Sequence, residues 1–191
     1  MKRFVVAIVA AVVAIPAAAA EGDGLLTFVK TKYDDMQGLV KKIPEKEKLH
    51  QGIRDIMETF VDYGELSKRT LGDTWGKLKK KEQDEFVAEF KKMIQRTYVK
   101  RFDPDTDVRI EYAGEPTKEA DGTFTVISTI RSGKSEARVD YKFLKKGAGW
   151  WAFDVVIDDV SMVKNYRKQF NDIMAKSGFA GLMNKIRKKN A

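Results

Sequence analysis

The spacing of apolar residues changes from three or four to two after Asp103-Pro104, and this change constrains the fold more than any other feature. Before it, apolar residues recur at steps of three and four, which predicts helices. After it, apolar residues such as Val108, Ile110 and Tyr112 alternate with charged ones, which predicts strands with one buried face. The sequence therefore predicts an α+β domain with N-terminal helices followed by a sheet.

The helical half contains three apolar patterns. The first begins near Leu25 and ends at Pro44, because proline cannot continue a helix. The second covers residues 49–60 and the third about 81–101, and the polar residues 41–48 are expected to join the first two. Glycines are expected to break the chain between the second and third helices: Gly64, Gly72 and Gly76.

The second half contains four strand candidates joined by short loops rich in glycine. Because loops this short join neighbouring strands, the sequence predicts a four-stranded twisted antiparallel sheet. The strands are expected at about residues 107–113, 123–131, 136–145 and 150–158.

Helical spacing returns after the last strand. The Ser161 hydroxyl can cap a helix that begins there, and Gly178 is expected to end it. A short last helix is expected at about residues 179–186.

The first twenty residues predict export. Lys2 and Arg3 precede an apolar run from Phe4 to Ile15, and the segment ends in four alanines, which is the pattern of a secretory signal peptide. The run is shorter than the roughly 20 residues that span a membrane. The alternative, a buried N-terminal helix, would need apolar cover on every side. We expect residues 1–20 to be a signal peptide and residues 21–191 to form a single periplasmic domain.

The charge and the lack of cysteine limit the partners and the chemistry. The formal net charge is +8, and losing Lys2 and Arg3 would lower it to +6. A basic protein suggests nucleic acid, but an exported chain rarely meets any. Anionic lipid head groups, an acidic partner surface and transient contact with a membrane surface fit better. With no cysteine, neither disulfides nor thiolates can contribute.

Residues that could carry catalysis are few. His50 is the only histidine and lies in a stretch rich in lysine and glutamate, so we expect it to be exposed. Asp154, Asp158 and Asp159 are the densest carboxylate group, and three acidic oxygens could hold a hard cation. Their spacing matches no cation loop, which favours structural roles such as capping the helix at Ser161. The sequence predicts no catalytic residue, no metal site and no cofactor.

The apolar residues say more about function than the titratable residues do. The chain contains 11 Phe, 3 Trp, 6 Tyr and 7 Met. The last strand candidate is apolar on both alternating faces, with Trp151, Phe153 and Val155 on one side and Trp150 and Val156 on the other. Such a strand is either covered on both faces or lines a space wide enough for an apolar ligand.

An ordered series of residues runs through most of the chain after residue 20. It consists of Phe60, Asp62, Leu71-Gly72, Trp75, Gln83, Phe86, Phe90, Thr97-Tyr98, Thr129-Ile130, Val139-Asp140-Tyr141, Trp151, Asp154-Val155, Val160-Ser161-Met162-Val163 and Asn165-Tyr166-Arg167-Lys168-Gln169-Phe170. This series resembles the MlaC-type periplasmic phospholipid-binding proteins, also called the toluene-tolerance auxiliary family. The family usually has glycine where this chain has Asp159, and aspartate tolerates a left-handed backbone better than most residues do.

The resemblance implies a twisted antiparallel sheet packed by helices around a deep apolar cavity. It also implies a lipid carrier that maintains outer-membrane lipid asymmetry. Such a carrier takes phospholipid between an outer-membrane lipoprotein complex and an inner-membrane ABC transporter complex. The expected lipid-binding wall residues are Met57, Phe60, Leu71, Trp75, Phe86, Phe90, Tyr98, Tyr141, Phe143, Phe153, Val155, Val163 and Tyr166.

Two other classes remain open from the residues. One is an enzyme with a similar cavity that acts on a small apolar substrate with an aspartate as base, which would need a carboxyl in an apolar pocket with a raised pKa. The other is a periplasmic adaptor with a solid core.

Overall fold

The structure is a computed structural model, and it describes residues 22–104 and 108–191. The predicted signal peptide, residues 1–20, lies outside the described residues. Five α-helices occur in the described part of the chain: α1 (Leu25–Lys42), α2 (Lys46–Glu58), α3 (Tyr63–Leu71), α4 (Lys80–Tyr98) and α5 (Met162–Asn190). Two short 3₁₀ segments follow α3 and α4, at Gly72–Lys77 and Val99–Arg101.

The strands form one antiparallel sheet and confirm the predicted α+β class. The order across the sheet is β1-β3-β4-β5-β6, and β2 also pairs with β3. The four predicted strands are present, and two strands of two residues each were missed, because they are too short to show alternation. The strands are β1 (Arg109–Tyr112), β2 (Thr117–Lys118), β3 (Phe124–Ser132), β4 (Ser135–Lys146), β5 (Gly149–Ile157) and β6 (Val160–Ser161).

Two-residue loops fix the register of the three long strands. Ser132 pairs with Ser135 across the β3–β4 turn, and Lys146 pairs with Gly149 across the β4–β5 turn. Each turn contains a glycine with positive φ, 56° at Gly133 and 57° at Gly147. This conformation matches the twist of paired strands, and glycine adopts it without a steric cost.

The expected break at Gly64 is wrong, because α3 runs through it. The Asp62 carboxylate accepts a hydrogen bond of 2.9 Å from the backbone N–H of Glu65 and so caps the first turn of α3. Gly64 therefore lies in a capped first turn, where its low helix propensity matters less. The helix ends at Leu71, and Gly72 has a positive φ of 55°.

The expected break at Gly178 is confirmed, but the helical segment that follows it is longer than expected. Gly178 has φ 63° and ψ −175° inside α5, which interrupts the helical backbone. Helical structure then continues to Asn190 rather than ending near Ile186. The interruption lets the last turns fold back onto α4, since the Asn190 side chain donates a hydrogen bond of 3.0 Å to the Glu89 carbonyl.

The helices α3, α4 and α5 share one packed interior, which we call the helical core. Its aromatic rings meet closely: the Phe90 centroid lies 5.3 Å from those of Phe86 and Phe170 and 5.2 Å from that of Tyr166. The buried members of the helical core are Tyr63, Leu66, Leu71, Phe86, Phe90, Met93, Ile94, Met162, Val163, Phe170, Leu182, Met183 and Ile186.

Candidate functional site

A cavity of about 690 Å³ lies between the inner face of the sheet, the helical core and α1. Its size falls in the range of roughly 300–1,000 Å³ that is usual for small-molecule sites. The wall is mainly apolar, and Leu66, Ile94 and Met162 belong both to it and to the helical core. The helical core therefore forms one side of the cavity.

Helix α1 supplies one side of the wall through residues spaced three or four apart, namely Phe28, Lys32, Met36 and Val40, with Val29 and Tyr33 beside them. The Phe28 ring stands edge-on to those of Phe60 and Phe143, with centroids 6.5 and 6.4 Å away. The Tyr33 hydroxyl donates a hydrogen bond of 3.2 Å to the Val108 carbonyl, which ties α1 to the start of the sheet. The apolar spacing of α1 predicts its buried face, but the predicted wall contains no residue of this helix.

A β-bulge in β5 explains why this strand is apolar on both faces. Tyr141 pairs with Val155 and Val139 with Ile157, and all four line the cavity. The register then shifts at Phe143, which pairs with Ala152, so Phe153 is the extra residue.

The bulge corrects the expected face of Trp151. Trp151 pairs with Leu144, the neighbour of the cavity-lining Phe143. Since paired residues share a face, Trp151 lies on the face opposite Val155. The expectation that Trp151, Phe153 and Val155 share one face was therefore wrong.

The backbone of β5 also positions Phe60. The Ala152 N–H donates a hydrogen bond of 2.8 Å to the Phe60 carbonyl, and the Asp62 N–H donates one of 2.8 Å to the Ala152 carbonyl. These two bonds form a short parallel bridge at Val61. Phe60 is thus fixed to the edge of the sheet, and its ring extends the wall between α2 and α3.

Burial makes three wall tyrosines harder to ionise than an ordinary phenol, which is itself uncharged near neutral pH. Removal from water raises the pKa of Tyr98, Tyr112 and Tyr141 above the ordinary value for a phenol. A hydrogen bond with Ser128 acts in the opposite direction on the pKa of Tyr141 but does not overcome burial. The wall therefore presents uncharged rings near neutral pH.

The thirteen expected wall residues divide into two groups. Seven line the cavity: Met57, Phe60, Tyr98, Tyr141, Phe143, Phe153 and Val155. The other six lie in the helical core or pack against it, and they do not line the cavity: Leu71, Trp75, Phe86, Phe90, Val163 and Tyr166.

The family model for MlaC protein matches residues 30–188 of this chain. The chain belongs to the MlaC family. The matched residues include all the strands and all the helices except the end of α5 and the first residues of α1, among them Phe28 and Val29 of the cavity wall.

A solved structure supports the same fold. The chain is similar to a phospholipid-binding protein from Ralstonia solanacearum, whose structure was determined in complex with a phospholipid. The two sequences are 22% identical, the TM-score is 0.77, and the match covers 86% of this chain and 95% of that one. No curated protein matches this chain.

Asp154 reaches the cavity wall, but its carboxylate has a structural role. One oxygen accepts hydrogen bonds from the backbone N–H groups of Val155 at 2.9 Å and Val163 at 3.0 Å. The other oxygen accepts one of 2.5 Å from the Ser161 hydroxyl. Ser161 itself caps α5 by accepting from Lys164 N–H at 3.0 Å. Asp154 and Ser161 together hold the N-terminus of α5 against β5, as expected from the sequence.

The neighbouring aspartates form the turn between β5 and β6. Asp158 and Asp159 both have positive φ, 45° and 64°, which fits a two-residue hairpin turn. The left-handed backbone considered at Asp159 is therefore confirmed. The Asp158 carboxylate also accepts a hydrogen bond of 3.0 Å from the Arg138 backbone N–H.

The remaining candidates for catalysis or metal binding in residues 22–104 and 108–191 are the other acidic side chains and His50. Within these ranges, no group of three or more His, Asp or Glu side chains is placed to hold a metal ion. His50 is half-buried rather than exposed, in a separate polar cleft of about 420 Å³ that also contains Arg54 and Arg96. No helix in these ranges is both long and apolar enough to cross a membrane.

Proposed function

We propose that this protein is a periplasmic phospholipid carrier that holds acyl chains in the cavity. The observation that carries the proposal is an apolar cavity of about 690 Å³ in a chain of the MlaC family. The phospholipid in the similar Ralstonia solanacearum structure supports it. The head group would stay at the mouth in water, and the neutral wall tyrosines impose no charge on the tails.

In this proposal some residues contact the lipid tails directly and others support the wall. Phe28, Phe60 and Phe143 would contact the tails with aromatic edges from three different elements. Val155 and Tyr141, which pair across β4 and β5, would line the sheet side. The residues of the helical core would act indirectly, by supporting the wall from behind.

Tail burial by itself cannot set the direction of transport. Each buried methylene gains about 0.8 kcal/mol relative to water, so two tails of roughly 30 methylenes gain ~24 kcal/mol. In a membrane the tails are already out of water, and transfer from membrane to cavity is nearly balanced. Release into water would be negligible, so partners must open the cavity or supply work. The proposed partners are the outer-membrane lipoprotein complex and the inner-membrane ABC transporter complex, reached after export by residues 1–20.

The alternatives have less support. An adaptor was expected to have a solid core, and a cavity of this size is not needed for that role. An enzyme would need an available carboxyl in the pocket. The Asp154 carboxylate already accepts three hydrogen bonds, and the Asp103 carboxylate pairs with the Lys46 Nζ at 2.8 Å.

The test is the lipid content of protein purified without detergent. Organic extraction followed by mass spectrometry is expected to give glycerophospholipid in amounts close to one molecule per chain. The same protein, delipidated and refolded, is expected to take phospholipid up again from vesicles. Folded protein that neither retains nor takes up lipid would overturn the carrier function and favour the adaptor.

A further inference from the structure

Three cationic side chains line the cavity, and each has part of its surface in water. Lys32 extends from α1, and Lys100 and Arg101 lie in the 3₁₀ segment after α4. Lys100 and Arg101 are exposed, whereas Lys32 is half-buried. Lys100 also lines the polar cleft that contains His50. The cations therefore come from two separate elements and lie where the cavity wall reaches solvent, a part of the wall that we call the mouth.

Two of these cations are held against aromatic rings of the wall. The Arg101 guanidinium carbon lies 5.5 Å from the centre of the Tyr98 ring, and the Lys32 Nζ lies 5.6 Å from the centre of the Phe28 ring. Such contacts orient a cation while leaving its N–H donors available to a ligand. Both rings also line the cavity, so the charges are positioned where the apolar wall meets water.

These cations also lack acidic partners in the described part of the chain. Among residues 22–104 and 108–191, no carboxylate forms an ion pair with Lys32, Lys100 or Arg101. Asp103 is the nearest acidic wall residue in sequence, and its carboxylate pairs with the Lys46 Nζ at 2.8 Å. The wall in this region therefore carries three cations against one carboxylate, and that carboxylate is already paired.

We propose that Lys32, Lys100 and Arg101 bind the phosphate of the lipid head group and favour lipids with a net negative charge. The proposal rests on the carrier function above. Lysine and arginine donate charge-assisted hydrogen bonds to phosphate oxygens, and arginine can do so with two parallel bonds. In a zwitterionic lipid the head-group ammonium competes for the same phosphate and is repelled by the basic mouth. An anionic lipid carries no such ammonium.

The experiment measures which lipid the delipidated protein takes up from vesicles with equal amounts of phosphatidylglycerol and phosphatidylethanolamine. Protein is separated from the vesicles first, so adsorption to the membrane surface does not contribute, and its lipids are quantified by mass spectrometry. We expect the wild-type protein to contain at least about three times as much phosphatidylglycerol as phosphatidylethanolamine, because a preference of this size is within what exposed ion pairs can contribute. The triple variant K32Q/K100Q/R101Q is expected to take up both lipids without preference.

A matched control changes the charge equally elsewhere. Lys164, Lys168 and Lys176 are exposed on α5 and do not line the cavity, so K164Q/K168Q/K176Q is expected to keep the preference. Because Lys100 is exposed, Lys100→Gln alone keeps the test possible if the triple variant does not fold, and it is expected to lower the enrichment. Loss of preference in the control variant would overturn the assignment in favour of a net-charge effect.

Two further outcomes separate this assignment from the carrier function. Uptake of both lipids by wild type without preference would overturn the head-group site and leave the carrier function intact. No uptake of either lipid would overturn both. Saturable binding of inorganic phosphate by equilibrium dialysis, lost in the triple variant and accompanied by no lipid preference, would assign the cations to free phosphate instead.

Discussion

The helical core and the cavity wall contain similar side chains but differ in what their apolar faces meet. In the helical core, Phe86, Phe90 and Phe170 pack with centroids 5.3 to 5.9 Å apart and fill the space between α4 and α5. In the wall, the neighbouring rings of Phe28 stand 6.4 and 6.5 Å away, and the ring also borders the cavity. One region is filled by protein, and the other leaves room for a ligand.

The difference shows that a side chain can be removed from water although the space beside it is not filled by other side chains. Helix α1 is held to the sheet side at its start, where Leu25 packs, and in its middle, by the Tyr33–Val108 hydrogen bond, while the cavity lies between them. A wall residue such as Phe28 therefore packs against Phe60 and Phe143 on one side and borders the cavity on the other. A ligand that replaces the missing contacts would stabilise the protein, so mutations in the two regions should differ in kind.

The largest expected effect is the loss of a ring from the helical core. Phe90→Ala is expected to lower the free energy of unfolding by about 3–5 kcal/mol, because a fully buried ring leaves a cavity among close-packed neighbours. Phe28→Ala, in the lipid-free protein, is expected to cost less than about 2 kcal/mol, since part of the ring already lacks contacts. Urea denaturation of the delipidated proteins measures both. Equal costs would show that the wall is packed as tightly as the core.

The same enlargement in the two regions should separate stability from binding. Val163→Trp is expected to cost ~1–3 kcal/mol or more by overpacking, because Val163 is buried in the helical core. Val155→Trp places the same side chain in the cavity, so its cost should be below about 1 kcal/mol while lipid uptake is lost. Thermal unfolding and lipid quantification on both variants provide the comparison. Full lipid retention by folded Val155→Trp would place the tails elsewhere.

A smaller effect is expected at the boundary between the two regions. Asp154→Asn weakens the hydrogen bonds that hold the start of α5 to β5, and it is expected to cost about 0.5–2 kcal/mol, as for a lost helix cap. Ser161→Ala should cost a similar amount, since it removes the adjoining cap. Lipid uptake should remain almost intact in both. A substrate-converting activity that disappears in Asp154→Asn alone, with binding unchanged, would favour the enzyme alternative.

The sequence predicted the elements of the fold better than the space between them. Alternation in residues such as Val139 and Tyr141 located the long strands, and the turn glycines located their ends. The expected break at Gly64 failed because capping by Asp62, three residues before Glu65, outweighs the propensity of one glycine. The strand β6 was too short to have a pattern, although the departure at Asp159 already pointed to its turn.

The cavity wall could be predicted only in part, for a physical reason. Apolar spacing reports which side of a helix or strand is turned away from water, and Phe90 and Tyr98 of α4 satisfy it equally well. Whether such a residue meets a neighbour or a cavity depends on the distance between elements, which no local pattern records. The bulge at Phe153 illustrates the same limit. Simple alternation would put Trp151 and Val155 on the same face of the sheet, and the one extra residue puts them on opposite faces.

The most direct test of the account is photo-cross-linking with a phospholipid that carries a diazirine at the end of one acyl chain. After uptake and irradiation, peptide mass spectrometry identifies the residues that contact the tail. We expect the label in α1 and in β4 and β5, at residues such as Phe28, Tyr141 and Val155. Labelling confined to the outer face of the sheet or to the exposed face of α5 would contradict the claim that the tails occupy this cavity.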